Sequence, residues 1–197
     1  MSKVDLERER KILDREITLF HFKKAKKRIN RCLGFANQQH DRFFFFYFLS
    51  QHFILREDSR MALRYLNSCL KLKPYDGCSY NDKALCFAQL GKHKEAMCCF
   101  DEGIRAERDC VSLYHNKGWL LHLLGRYREA ILYFRKALEL EENRAESLYS
   151  LADAYEKLNQ LKEAKRYFQK ALGQLKGKSS ILYKEATQRL RALAKNQ

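Results

Sequence analysis

Apolar and polar positions along this chain follow the period of an α-helix, and the helical pattern itself recurs. Ala62, Ala96, Ala130 and Ala164 stand 34 residues apart. Leu66, Phe100, Phe134 and Phe168 follow four residues later, and Cys69, Gly103, Ala137 and Ala171 three further on. Upstream, Ser50, Ala84, Gly118 and Ala152 keep the same step, as do Phe53, Phe87, Leu121 and Tyr155. Small residues recur where helices must approach closely and large ones where a gap must be filled. Such a period predicts stacked helix pairs, each too small to bury its apolar face alone.

The best unit runs Tyr114-His115-Asn116-Lys117-Gly118-Trp119-Leu120-Leu121, then Leu124-Gly125-Arg126-Tyr127, Ala130, Phe134 and Ala137. This pattern resembles the tetratricopeptide repeat, a helix–turn–helix unit. Units are expected at 43–76, 77–110, 111–144 and 145–178. Residues 1–42 read as a degenerate N-terminal helix pair carrying a basic cluster, with Phe22, Ala25, Ile29 and Cys32 on its second-helix stripe. Residues 179–197 read as an amphipathic capping helix, with Leu182, Ala186, Leu190 and Leu193 inward and Lys184, Arg189, Arg191 and Lys195 outward. The expected fold is all-α, an α-solenoid of antiparallel helix pairs; a right-handed superhelical arc is what the resemblance implies. Gly91 and Gly125 fall between the helices of their units, where the chain reversal favours φ > 0. Pro74 closes the first clear unit.

The resemblance also implies a role. In tetratricopeptide arrays the first helix of each unit lines a concave groove that holds a partner segment. That carries Phe44, Tyr47, Gln51 and Ile54 into the groove from one unit, and Cys78, Asn81, Leu85 and Ala88 from the next. Ser112, His115, Trp119 and His122 follow, then Glu146, Tyr149, Asp153 and Glu156. Such a groove passes from aromatic to acidic and suits a segment with an apolar anchor and a basic end. Trp119, the single Trp of the chain, is either a binding anchor or packed against a neighbouring helix. The subclass that clamps a C-terminal carboxylate needs cations on these columns, and Tyr47, Gln51, Asp82, Ser112 and Asn116 supply none. The aromatic run Phe43 to Leu49 reads as a core helix, with an exposed docking patch as the alternative.

Composition narrows the rest. A single Pro and eight Gly argue against an all-β chain. The longest apolar run, Phe43 to Leu55, is too short to span a membrane, and the charged first thirty residues read as no secretory signal. Seven Cys, an odd number with no Cys-x-x-Cys pair, argue for a reducing compartment and against a zinc or disulfide framework. A cytoplasmic protein is expected, with a nuclear location open. Phosphate-loop, nucleophile-elbow and metalloprotease motifs are absent. His115 and His122 lie about 10 Å apart along a helix, too far to share an ion. No catalytic residue, metal or cofactor is expected.

The net charge of +15 has a location. Lys23, Lys24, Lys26, Lys27, Arg28 and Arg31 crowd one segment without an acid. Arg60, Lys94, Arg128 and Lys162 recur at the repeat step near the start of each second helix, where a cation opposes the helix dipole. Glu95, Glu129 and Glu163 directly follow the last three. The favoured function is a non-catalytic scaffold or adaptor holding a protein segment in its groove. Alternatives are a basic scaffold docking on nucleic acid or an acidic assembly through its N-terminal and outward surface, and a small chaperone for apolar segments.

Overall fold

The computed structural model describes residues 4–18, 21–175 and 181–195, and every regular element among them is an α-helix. The chain divides between Arg108 and Asp109 into two compact units. Unit 1 holds α1 (Leu6–Thr18), α2 (Phe22–Gln38), α3 (Arg42–Ile54), α4 (Ser59–Leu72), α5 (Gly77–Gln89) and α6 (His93–Ala106). Unit 2 holds α7 (Val111–Leu123), α8 (Tyr127–Leu140), α9 (Ala145–Lys157), α10 (Leu161–Leu175) and α11 (Ile181–Lys195). Within each unit every helix packs on the next in sequence, the short-loop geometry of helix hairpins.

The recurring columns form the core. Ala25, Ala62, Ala96, Ala130 and Ala164 are fully buried on second helices, as are Leu66, Phe100, Phe134 and Phe168 one turn on. The small first-helix column sets the spacing within a pair. A Cβ on Gly118 would stand 2.9 Å from the Phe134 ring and 3.2 Å from the Ala130 carbonyl oxygen. Only glycine admits so close an approach against that ring.

Reversals inside the pairs share one device. Glu57, Gly91, Gly125 and Asn159, again one repeat step apart, take φ of 60°, 72°, 73° and 58°. Glycine and asparagine tolerate this left-handed conformation; Glu57 adopts it at a steric cost. Helix starts are capped unevenly, and His21 and Lys92 precede α2 and α6 without a side-chain cap. Asp41, Asp58 and Asp76 cap α3, α4 and α5 by accepting hydrogen bonds from the backbone N–H of Phe44, Met61 and Ser79. Cys110, Arg126 and Arg144 precede α7, α8 and α9 without a side-chain cap.

The aromatic run is core. Phe43, Phe44, Tyr47 and Phe48 are buried with Leu6 and Leu13 of α1 and Ala25, Ile29, Cys32 and Ala36 of α2. Phe45 and Phe46 lie partly covered at the edge of the same cluster. Successive rings meet edge-on, Phe43 on Phe44 at 5.1 Å and Tyr47 on Phe48 at 5.6 Å. These arrangements suit the quadrupoles of the π-systems.

Candidate functional site: two first-helix faces

The proposed groove columns lie on α3 and α5 in unit 1 and on α7 and α9 in unit 2. The two faces differ in what covers them.

In unit 1 Phe44, Tyr47, Gln51 and Asn81 are all buried. Helix α1 supplies the cover. The Arg10 guanidinium donates to Asp76 Oδ1 at 2.6 Å and lies 5.2 Å from the centre of the Tyr47 ring. Beneath it, Gln51 Nε2 donates to Asp82 Oδ2 at 2.6 Å and Asn81 Nδ2 to Asp82 Oδ1 at 3.2 Å. Burial, reinforced by the charge of Asp14, pushes the Asp82 carboxyl up to about 7. A hydrogen-bonded polar layer thus underlies α1. Arg10, Asp76 and Asp82 carry no repeat signal, because the degenerate first helix matches its counterparts poorly and hides which face it presents.

Unit 2 presents a more open face. His115 is tied to α9, with Nδ1 3.0 Å from Ser147 Oγ. Burial, with the charge of Arg144 nearby, pulls its pKa down to about 3, so the ring is neutral at physiological pH. One turn on, Trp119 is 40 % exposed, and Leu123 beyond it is also open to solvent.

The acids of this face are engaged. His122 Nε2 stands 2.9 Å from Asp153 Oδ2. Arg189 of α11 reaches back to Asp153 at 3.2 Å and to Glu156 at 3.0 Å. Against the upward pull of burial, His122 and Arg189 hold Asp153 below the usual carboxylate range. Tyr149 packs edge-on against Phe168 at 5.4 Å, and its hydroxyl donates to Glu185 Oε2 at 3.2 Å. Glu146 lies 3.9 Å from the guanidinium of Arg144. A cavity of about 390 Å³ remains between α9 and α11, lined by Tyr149, Glu185, Gln188, Arg189 and Ala192.

Arg189 turns inward where the amphipathic pattern of the cap points it to water. The signal was the repeat step itself. Extended from α9, it puts residues 179–191 in the next first-helix place, so α11 faces the acids of α9. A long arginine at the edge of the stripe then finds carboxylates within reach.

The basic residues also divide. Lys23, Lys24, Lys26 and Lys27 are exposed. Arg28, by contrast, binds Glu16 at 2.9 and 3.0 Å and also pairs with Glu9; Arg31 binds Glu9 at 2.9 Å. Arg60 and Lys94 in unit 1, and Arg128 and Lys162 in unit 2, are exposed. The glutamates beside the last two pair elsewhere, Glu129 with Arg126 at 2.7 Å and Glu163 with Arg166 at 3.7 Å.

Among the described residues, no group of three or more His, Cys, Asp or Glu could hold a metal ion. The buried thiols behave as small hydrophobes, with burial pushing Cys32, Cys69 and Cys86 up to about 12 and Cys99 to about 11. No described helix is long and apolar enough to cross a membrane.

The comparisons agree with this geometry. Residues 79–110, 111–144 and 145–174 match tetratricopeptide repeat family models. No curated protein matches the sequence significantly. Among solved structures, TTC0263, a thermophilic TPR protein of Thermus thermophilus, is 18 % identical; the match covers 96 % of this chain and 98 % of that one with a TM-score of 0.75. MamA (41-end) from Desulfovibrio magneticus RS-1 is 20 % identical over 80 % of this chain and 97 % of that one, with a TM-score of 0.60. At such identities the likeness is one of fold.

Proposed function

This chain belongs to the tetratricopeptide repeat family, and on that premise we propose that it is a non-catalytic adaptor whose binding groove is centred on α7. The repeats support a protein-interaction scaffold in general terms; the adaptor reading adds where a partner segment lies. Its principal support is the 40 % exposure of Trp119. An indole of that exposure leaves roughly 100 Å² of ring surface in water, worth about 2 kcal/mol to a partner that covers it. Leu123, one turn on, extends the apolar strip. His115, Ser147, His122 and Asp153 hold α7 and α9 in register beneath it, so the strip is presented on a rigid base.

The partner is a protein segment with an apolar or aromatic anchor. Because Arg189 already pairs with Asp153 and Glu156, a basic tail on that segment contributes little. The free thiols support a reducing, cytoplasmic setting. The test is peptide selection from a random library on the intact protein. Selected peptides should shift Trp119 emission to shorter wavelength and lose binding to Trp119→Ala by tenfold or more. Peptides that bind the variant equally and leave the emission unchanged would falsify the groove reading.

A second reading, docking through the basic N-terminal surface, is favoured by the exposed lysines of α2.

A further inference from the structure

The outward face of α2 combines features that folding does not require. The helix carries no acid, and α4 carries none either, while adding exposed Arg60 and Arg64 to unit 1. Lys23, Lys24 and Lys26 occupy the first turns of α2, where the helix dipole disfavours cations, and His21 before them supplies no side-chain cap. Of the acids of α1, Glu9 and Glu16 pair with Arg28 and Arg31, and Glu16 also feels the charge of Lys24. With Ala25, Ile29, Cys32 and Ala36 buried, Lys23 and Lys27 project directly outward and Lys24 and Lys26 flank them. At the start of the helix Phe22 is 50 % exposed.

We propose that this face docks unit 1 on an anionic lipid surface, the four lysines facing the headgroups and Phe22 entering the interface. Charge complementarity identifies the occupant. The cations opposite the buried stripe of α2 are Lys23, Lys24, Lys26 and Lys27, compact hydrated charges suited to a diffuse anionic plane, whereas the planar forks of Arg28 and of the half-exposed Arg31 are paired with carboxylates of α1. The exposed ring stands at one end of the cluster, where an interfacial anchor belongs, and not between cations, where it would stack a base. The apolar stripe of α2 stays in the core, so attachment is peripheral, reversible and weakened by salt.

The test is sedimentation of the full chain with phosphatidylcholine vesicles, with and without phosphatidylserine, at low and physiological salt. Binding only to the anionic vesicles, weakened by salt, is expected. Each Lys→Gln change among Lys23, Lys24, Lys26 and Lys27 should lower partitioning about fivefold, with circular dichroism and thermal unfolding unchanged. Phe22→Ser should lower it further, and Trp119→Ala should not alter it, which separates this surface from the groove. Absence of binding to anionic vesicles at low salt overturns the proposal, as does an unchanged affinity in the fourfold lysine variant. Tighter binding to duplex or single-stranded oligonucleotides, abolished by the same lysine changes, would assign the face to nucleic acid instead.

Discussion

The first-helix faces of the two units start from the same repeat and end with opposite accessibility. In unit 1 that face is aromatic, and α1 covers it through Leu6, Leu13 and the Arg10–Asp76 pair. In unit 2 it carries a half-open Trp119 above a base of interhelical polar contacts. Equivalent columns therefore serve as core in one place and as surface in the other. What distinguishes them is the neighbouring element: a helix bearing leucines toward the face covers it in unit 1, while α11 meets α9 in unit 2 through Arg189 on Asp153 and Glu156 and through Glu185 on Tyr149. Periodicity identifies a column; burial decides its use.

The sharpest way to break this comparison is truncation of an aromatic on each face. Phe48→Ala removes a fully buried ring from unit 1 and should cost about 3–5 kcal/mol. Trp119→Ala should cost less than ~1 kcal/mol, because much of its ring already meets water. Denaturant unfolding followed by circular dichroism compares them directly; equal losses would mean that Trp119 is as structural as Phe48.

Next in size is the close approach within the pairs. Unit 1 sets Ser50 on the column that Gly118 occupies in unit 2, and Ser50 Oγ donates to the Tyr47 carbonyl at 2.7 Å. Gly118→Ala should destabilise unit 2 by about 1–3 kcal/mol, since the fully buried Phe134 ring has nowhere to move. Ser50→Ala, which adds no volume, should cost about 1 kcal/mol or less.

The faces should also respond to pH with opposite sign. Asp82 in unit 1 is raised from 3.8 to about 7. The folded state then binds its proton more readily than the unfolded chain, so this contribution is full below pH 3.8 and is lost as pH rises toward 7. His115 in unit 2 is lowered from 6.5 to about 3. Here the unfolded chain binds the proton more readily, so the contribution is full above pH 6.5 and is lost as pH falls toward 3. Hydrogen exchange resolved by segment between pH 4 and 7 separates the units, and Asp82→Asn and His115→Gln should each flatten only their own slope.

The smallest effect concerns the reversals. Glu57→Gly should stabilise unit 1 by up to ~1 kcal/mol by relieving its left-handed φ, read as a modest rise in Tm. Gly125→Ala should do the reverse in unit 2.

Much of the architecture was legible beforehand because it rests on short-range spacing. The alanine and phenylalanine columns, the glycines at reversals and the amphipathic last helix each follow from one turn of helix meeting the next. The functional face was less legible. Phe44, Tyr47 and Gln51 hold groove columns by register, yet their exposure depends on α1, whose residues lack the repeat pattern. Arg28 and Arg31 belong to one basic run in the sequence, but Glu9 and Glu16 neutralise them from another helix. Arg189, on the polar side of its own helix, is drawn inward by carboxylates more than thirty residues away.

The sequence by itself determined the all-helical repeat, the pairing of helices and the places where they come closest, because those depend on residue size and helical period alone. Tertiary structure decided which aromatic face is sealed, which acids are already neutralised and which four lysines remain outward. Those outcomes depend on long side chains meeting partners from non-repeating elements, and no local period encodes such meetings.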